Sequence, residues 1–340
     1  MKKNIKKSFS AVLLLLMSVF VAFFLLASCS ERPLSYESTE FFALNTFIEI
    51  KINKSDKSAE LLKGCREIVL QSEKIFSMTD GQSELFKINE SKCSEQTLSL
   101  RMSALLKKSL EIARDTEGAF DITAGALSKL WRISDDDTYI PAKAEIENAL
   151  EHVGYSFIEI DGDTLRKSDS DTVLDLGAIA KGEIAGQLYD YLLQNGVEYG
   201  IISLGGNICT IGTKPDNESY RVSVRNPFGD GYIGILSLDG DNFISVAGGY
   251  ERYKEVNGVK YHHIFDTSTG YPSNSGLASV AIISDDPMLA DALSTALFVM
   301  GKDRALEYCK SSEYSFSAVL IDDEGQITLS PDFEYTFTEK

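Results

Sequence analysis

The stretch from Tyr250 to Pro272, YERYKEVNGVKYHHIFDTSTGYP, restricts the fold more tightly than any other part of the chain. Asn257-Gly258 sits between two runs of aromatic and β-branched residues, the strongest short signal for a β-hairpin. A two-residue turn there sets the register: Val256 faces Val259, Lys254 faces Tyr261, Arg252 faces His263 and Tyr250 faces Phe265. Side chains alternate across a strand, so these eight residues share one face. Glu251, Tyr253, Glu255, Lys260, His262 and Ile264 take the other, more charged face. The first face is therefore expected to point inward with Arg252 and His263, and His262 to point outward. Asp266 to Pro272 then ends the strand in turn-forming residues. Taken alone, this is an ordinary hairpin with a packed histidine; what changes that reading lies elsewhere.

The N-terminus carries an address. Lys2, Lys3, Lys6 and Lys7 precede an apolar run from Ala11 to Ala27, closed by Leu26-Ala27-Ser28-Cys29. A basic start, an apolar middle and small residues before the break make a secretory signal. The cysteine after Leu-Ala-Ser resembles a bacterial lipobox, and the apolar run is short for a membrane span. Residues 1–28 are expected to be removed, Cys29 to be lipidated, and 29–38 to form a polar tether ahead of a folded domain over 39–335. The chain would then be exported and anchored on the outer side of a bacterial membrane. Losing residues 1–28 removes four lysines and no acid, taking the formal charge from −18 to −22. So acidic a chain is a poor partner for nucleic acid, and a phosphate-bearing ligand would need local positive charge or a metal. Cys65, Cys93, Cys209 and Cys309 remain, with no spacing that makes a zinc site or demands a disulfide.

Along the chain, Ile48, Ile50 and Ile52 alternate as in a half-buried strand. A helix follows, capped at Ser55 or Asp56, with Leu61, Leu62, Cys65, Val69 and Phe76 on one face. A second runs through Met102 to Ala113 and stops near Gly118; a short third spans Ala142 to His152. Strands are expected at Phe157–Ile160 and Val173–Leu176, a helix at Ile179–Leu193, and a buried strand at Ile201–Leu204 ending in Gly205-Gly206. After the hairpin come a strand (Ala278–Ile283), a helix (Pro287–Met300), a helix from Lys302, and a closing strand pair between Phe316 and Leu329. Helices and strands are mixed without regular βαβ alternation, so the class is α+β.

Two further stretches carry chemistry. Asp286-Pro287 opens a helix reading MLADALSTALFVMG, apolar on nearly every side and so expected to be buried. In it Asp291 and Thr295 lie one turn apart, with Ser294 beside them. A buried carboxylate needs a partner: a hard cation such as Mg²⁺ or the helix's own threonine serves equally well. Asp175-Leu-Gly-Ala-Ile-Ala-Lys181-Gly182 turns a strand into a helix, where free N–H groups and Lys181 suit an anion. A plain strand-to-helix connection explains it nearly as well. The Gly205-Gly206 pair could also let a ligand approach closely.

Together these segments resemble the flavin transferase family (the ApbE family, FAD:protein FMN transferases). The matching stretches are GAFDITAG (118–125), DLGAIAKG (175–182), SLGGNI (203–208), YERY (250–253), HHIFDTSTGYP (262–272) and DDPMLADALSTALFVMG (285–301). The resemblance implies a T-fold-related α+β architecture and a catalytic domain over 39–335. It implies a Mg²⁺ site at Asp291, Ser294 and Thr295, completed by the Ala178 carbonyl. Leu44, Ala119, Phe120, Asp121, Asp175, Lys181 and the backbone at Phe265 match FAD-binding positions, and His263 matches the family's histidine. The implied activity is Mg²⁺-dependent cleavage of FAD, with FMN passing to a threonine or serine of an acceptor flavoprotein and AMP leaving. The base could be His263, Asp121 or Asp175. Implied acceptors are subunits of membrane redox complexes or extracellular flavoproteins. The alternatives are a Mg²⁺-dependent FAD pyrophosphatase and a non-catalytic flavin-binding lipoprotein. Leu44-Asn45, Ala247-Gly248-Gly249, Ala126, Gly186 and Thr267 depart from the residues usual in the family.

Overall fold

The computed structural model describes residues 34–135 and 137–340; the expected signal peptide and Cys29 lie outside them. Eight strands form one antiparallel sheet. In spatial order these are Tyr36–Ala43, Thr46–Asn53, Gly200–Leu204, Asn207–Ile211, Asn242–Gly248, Leu277–Ser284, Ser317–Asp322 and Ile327–Leu329. Their alternation decides the layers. In Asn242–Gly248, Phe243 and Ala247 join the larger core under the helices, while Ile244 joins a second core on the other face. The helices Ser58–Phe76, Ala180–Gln194 and Pro287–Met300 cover the first face. A three-stranded sheet (Tyr220–Arg225, Tyr232–Leu238, Thr336–Glu339) covers the second. Ile48, Ile50 and Ile52 are all but fully buried. Truncating one to alanine costs about 2–5 kcal/mol.

The α+β expectation holds, as do most of the elements. The Pro287–Met300 helix starts as expected, the Asp286 carboxylate accepting from the N–H groups of Met288 (3.0 Å) and Leu289 (3.1 Å). The hairpin register is as expected from Val256↔Val259 to Tyr253↔His262, with Asn257 and Gly258 at φ 53° and 79°. It ends sooner than expected. Arg252 and His263 keep a single ladder bond, whereas Phe265 leaves Tyr250 and pairs with Pro272.

Other expectations are corrected. Val173–Leu176 is not a strand: Val173 makes one isolated bridge to Ala124, and Leu174 is held by the Asn89 amide through two 2.8 Å bonds. A side chain thus stands in for a neighbouring strand. Tyr36–Ser38, placed in the tether, begin the first strand, where Tyr36 meets Tyr199 edge-on. Thr336–Glu339 runs past the expected domain end at 335 and pairs with Tyr232–Leu238. The first long helix begins at Ser58 after Lys57, which makes no side-chain cap.

Candidate active site

A cleft of about 410 Å³ draws its walls from segment 119–135, the turn 175–181, the hairpin and the Pro287–Met300 helix. That volume is typical of a small-ligand site. Asp291, 2% exposed, is its deepest charge. Its Oδ2 accepts from the Gly182 N–H at 2.9 Å and its Oδ1 from the Ser245 hydroxyl at 2.9 Å. The Lys181 ammonium lies 3.7 Å from Oδ1. Glycine at 182 permits this arrangement, because a Cβ there would stand 2.2 Å from the Pro287 carbonyl oxygen. Ser294 donates to the Asp291 main-chain carbonyl at 2.7 Å, and Thr295 lines the cleft one turn on. Carboxylate and hydroxyl oxygens without imidazole or thiolate form a hard donor set, which fits Mg²⁺.

Two of the other carboxylates in the cleft, Asp121 and Asp175, are spent on the fold. Asp121 Oδ1 accepts from the Thr123 N–H and hydroxyl (2.8 and 2.7 Å), and Oδ2 from the Tyr155 N–H (2.8 Å). Burial still pushes its carboxyl above the usual range. Asp175 accepts from the Ser128 hydroxyl at 2.6 Å and the Gly177 N–H at 2.9 Å. Both line the cleft, but their oxygens tie loops together.

His263 is differently placed. Its Nδ1 lies 3.1 Å from the Arg252 carbonyl oxygen, which can only accept. Nδ1 therefore carries the ring proton, and Nε2 keeps its lone pair. Burial, then the neighbouring Arg252 guanidinium, push the imidazole down to about 3, so it is neutral at ordinary pH. His262 does take the opposite face, but its own ring is packed and only partly exposed, while Tyr253, Glu255 and Lys260 on that face stay exposed. Its Nε2 donates to the Ser273 carbonyl (2.9 Å), its Nδ1 accepts from the Ile264 N–H (3.2 Å), and its ring meets Phe298 edge-on.

Ala119, Phe120, Asp121, Asp175, Ala178, Lys181, His263, Phe265, Asp291, Ser294 and Thr295 thus all meet at one cleft. Leu44 is not among the lining residues. It forms the turn between the first two strands at φ 53°, its N–H donating to Glu73 at 2.7 Å. The Gly205-Gly206 pair also stays off the lining: its bare Cα positions make room for Thr46 and Glu251. Sequence reasoning passed over Glu251, Ser128, Arg132 and Ser245. Glu251 lines the cleft, its carboxyl raised by burial and held back by Lys181 and Arg252. Strand alternation pointed Ser245 at the helices, had that strand been read in detail. Elsewhere, His152, Asp169 and Asp171 cluster, but His152 pairs with Asp169 and Lys92 with Asp171.

Hard oxygen donors, an ammonium and a neutral imidazole around one cleft make a site suited to a phosphate-bearing ligand, carried on an antiparallel α+β scaffold. The chain belongs to the ApbE family, whose model matches residues 44–320. It is 31% identical to the FAD:protein FMN transferase of Vibrio cholerae over 247 residues, 72% of this chain and 74% of that protein. The Treponema pallidum FAD:protein FMN transferase is 29% identical, covering 82% and 83%. Among solved structures, the ApbE protein of Thermotoga maritima superposes with a TM-score of 0.81 at 32% identity, over 87% of this chain and 97% of that one. The flavin transferase ApbE of Vibrio cholerae gives 0.78 at 26%, over 88% and 98%.

Proposed function

We propose that the protein is an FAD:protein FMN transferase that moves FMN from FAD to a threonine or serine hydroxyl of an acceptor flavoprotein and releases AMP. The observation that carries this is the meeting of Asp291, Ser294, Thr295, Lys181 and His263 at one cleft, in a chain of this family. Asp291, Ser294, Thr295 and the Ala178 carbonyl would hold Mg²⁺, which when bound offsets charge on the diphosphate. Lys181 adds a fixed positive charge on the same side. Ala119, Phe120 and Phe265 offer wall for the flavin nucleotide, and Asp121 and Asp175 keep that wall in shape. Leu44 reaches FAD in this reading only from outside the cleft lining, at its turn.

The acceptor oxygen forms a bond to the FMN phosphorus, and the bond from that phosphorus to the bridging oxygen breaks. AMP departs with the bridging oxygen, and the hydroxyl proton goes to His263 Nε2. An imidazole at about 3 is a weak base in the free protein. Burial is the main cause of that depression, and a bound diphosphate would oppose only the smaller part due to the Arg252 and Lys181 charges. Export and a lipid on Cys29 would place the reaction outside the cytoplasm, beside membrane redox subunits or extracellular flavoproteins.

Incubation with FAD, Mg²⁺ and a candidate acceptor tests the reading, followed by intact mass and AMP yield. The expected result is acceptor gaining one FMN with equal AMP. AMP and free FMN without acceptor would mean a pyrophosphatase, and FAD bound but uncleaved would mean a binding protein.

A further inference from the structure

Ser245 is a polar residue where the strand calls for an apolar one. Phe243 and Ala247, its neighbours on the same face, belong to the core under the helices, and Ser245 is 1% exposed. Its one hydroxyl proton goes to Asp291 Oδ1 at 2.9 Å. The one proton of Ser294 goes to the Asp291 main-chain carbonyl. The two hydroxyl oxygens, 3.3 Å apart, then meet with lone pairs only. Directly across the ladder from Ser245 stands Asn207, so the two side chains share a face. Asn207 is 4% exposed, and its Oδ1 has no hydrogen-bond partner among the described residues. A buried amide oxygen without a donor calls for an explanation.

We infer that Ser245 and Asn207 form a polar support behind Asp291 that sets the cleft's affinity for a divalent cation. The inference rests on the cation reading of Asp291 given above. Neither residue lines the cleft, so both are positioning residues. Ser245 and the Gly182 N–H each take one lone pair of the carboxylate, one on either oxygen. The second lone pair on each oxygen is left for the cation. Without Ser245, Oδ1 keeps only Lys181, and the carboxylate turns toward that ammonium at the cation's expense. Mg²⁺ keeps several waters when bound. A water carried in with the cation would supply the hydrogen bond that Asn207 Oδ1 lacks among the described residues.

The test is Mn²⁺ binding to the purified protein without FAD, read by the electron-spin signal of free Mn²⁺, with a metal-free melt alongside. Ser245→Ala is expected to weaken binding about 10–100-fold, the usual effect of losing a partner of a metal ligand. Its metal-free melting temperature should stay close to wild type, and its kcat should recover at saturating metal. Ser245→Thr should restore affinity, and Asn207→Ala should weaken it in the same direction as Ser245→Ala. If Ser245→Ala does not fold, Ser245→Cys, a weak donor of similar size, gives the same readout. Wild-type affinity in the serine variant, with none in Asp291→Ala, overturns the support and leaves the cation reading standing. Equal binding by wild type and Asp291→Ala overturns both.

Discussion

The two sides of the cleft use carboxylates in opposite ways. On the helix side, Asp291 takes one neutral donor on each oxygen and has a charge partner only at 3.7 Å. On the loop side, Asp121 takes three donors from Thr123 and Tyr155, and Asp175 takes two, the Gly177 N–H of its own loop and the distant Ser128 hydroxyl. Asp291 sits on regular elements that hold it whether or not it binds anything. Asp121 and Asp175 hold the irregular backbone itself. Asp175, like Asp291, takes one donor per oxygen; what sets Asp291 apart is its burial and the Lys181 ammonium beside it, and substitutions on the two sides should fail differently.

The largest effect is expected at Asp291. Asp291→Ala should abolish Mg²⁺-dependent FAD cleavage while the thermal melt stays cooperative. A wild-type rate at ordinary Mg²⁺ would erase the distinction between the two sides. Next comes His263→Ala, expected to cut FMN transfer about 10²- to 10⁴-fold, the usual range for a general acid–base group. Transfer and AMP release should fall together, measured as initial rates. Asp121→Ala should instead act on the fold. Leaving the Tyr155 and Thr123 donors unpaired costs about 1–3 kcal/mol. Its melting temperature should drop, with a smaller loss of rate at saturating FAD than His263→Ala gives. A melt unchanged from wild type would place Asp121 with Asp291, among the groups that do chemistry.

The helix side was the more legible in the sequence, for physical reasons. Asp286-Pro287 and the apolar run after it fix where the helix starts and that it is buried, and a period of 3.6 puts Asp291 beside Thr295. The hairpin register followed from Asn257-Gly258 alone. Neither source predicted the donors around Asp291, because Gly182 and Ser245 meet it only through tertiary packing. The loop side was legible only as a resemblance, since Asp121 and Asp175 act through bonds to groups tens of residues away, the Tyr155 N–H and the Ser128 hydroxyl. Val173–Leu176 misled because an apolar extended run looks the same whether a strand or the Asn89 amide satisfies it. Cys29 and the signal peptide lie outside the described residues. Loss of lipid labelling in Cys29→Ala would test that part.

Acid stability sharpens the comparison within the hairpin. His263 is depressed from 6.5 to about 3 in the folded protein, so the unfolded chain binds more protons between those values. Stability contributed by keeping this ring neutral is therefore complete above about pH 6.5 and is lost as pH falls toward 3. His263→Gln should lose less stability than wild type between pH 6.5 and 4, followed by chemical denaturation. It should not remove the whole acid loss, because burial also lowers His262. Parallel curves for variant and wild type would mean the ring is not held neutral.

The smallest effect on chemistry is expected one residue away. His262 has both ring nitrogens bonded within the protein, to the Ser273 carbonyl and the Ile264 N–H, and its ring against Phe298. It has no lone pair or proton to offer a ligand. His262→Ala should thus leave the transfer rate within a few-fold of wild type while lowering stability by about 1–3 kcal/mol, from a lost buried hydrogen-bonding partner. Measuring rate below the onset of melting separates the two. If His262→Ala lost as much rate as His263→Ala at full folding, the two faces of the hairpin would not differ in role. If only His262→Ala were inactive, the proton acceptor would lie on the other face of the hairpin, and the assignment of His263 Nε2 would have to be abandoned.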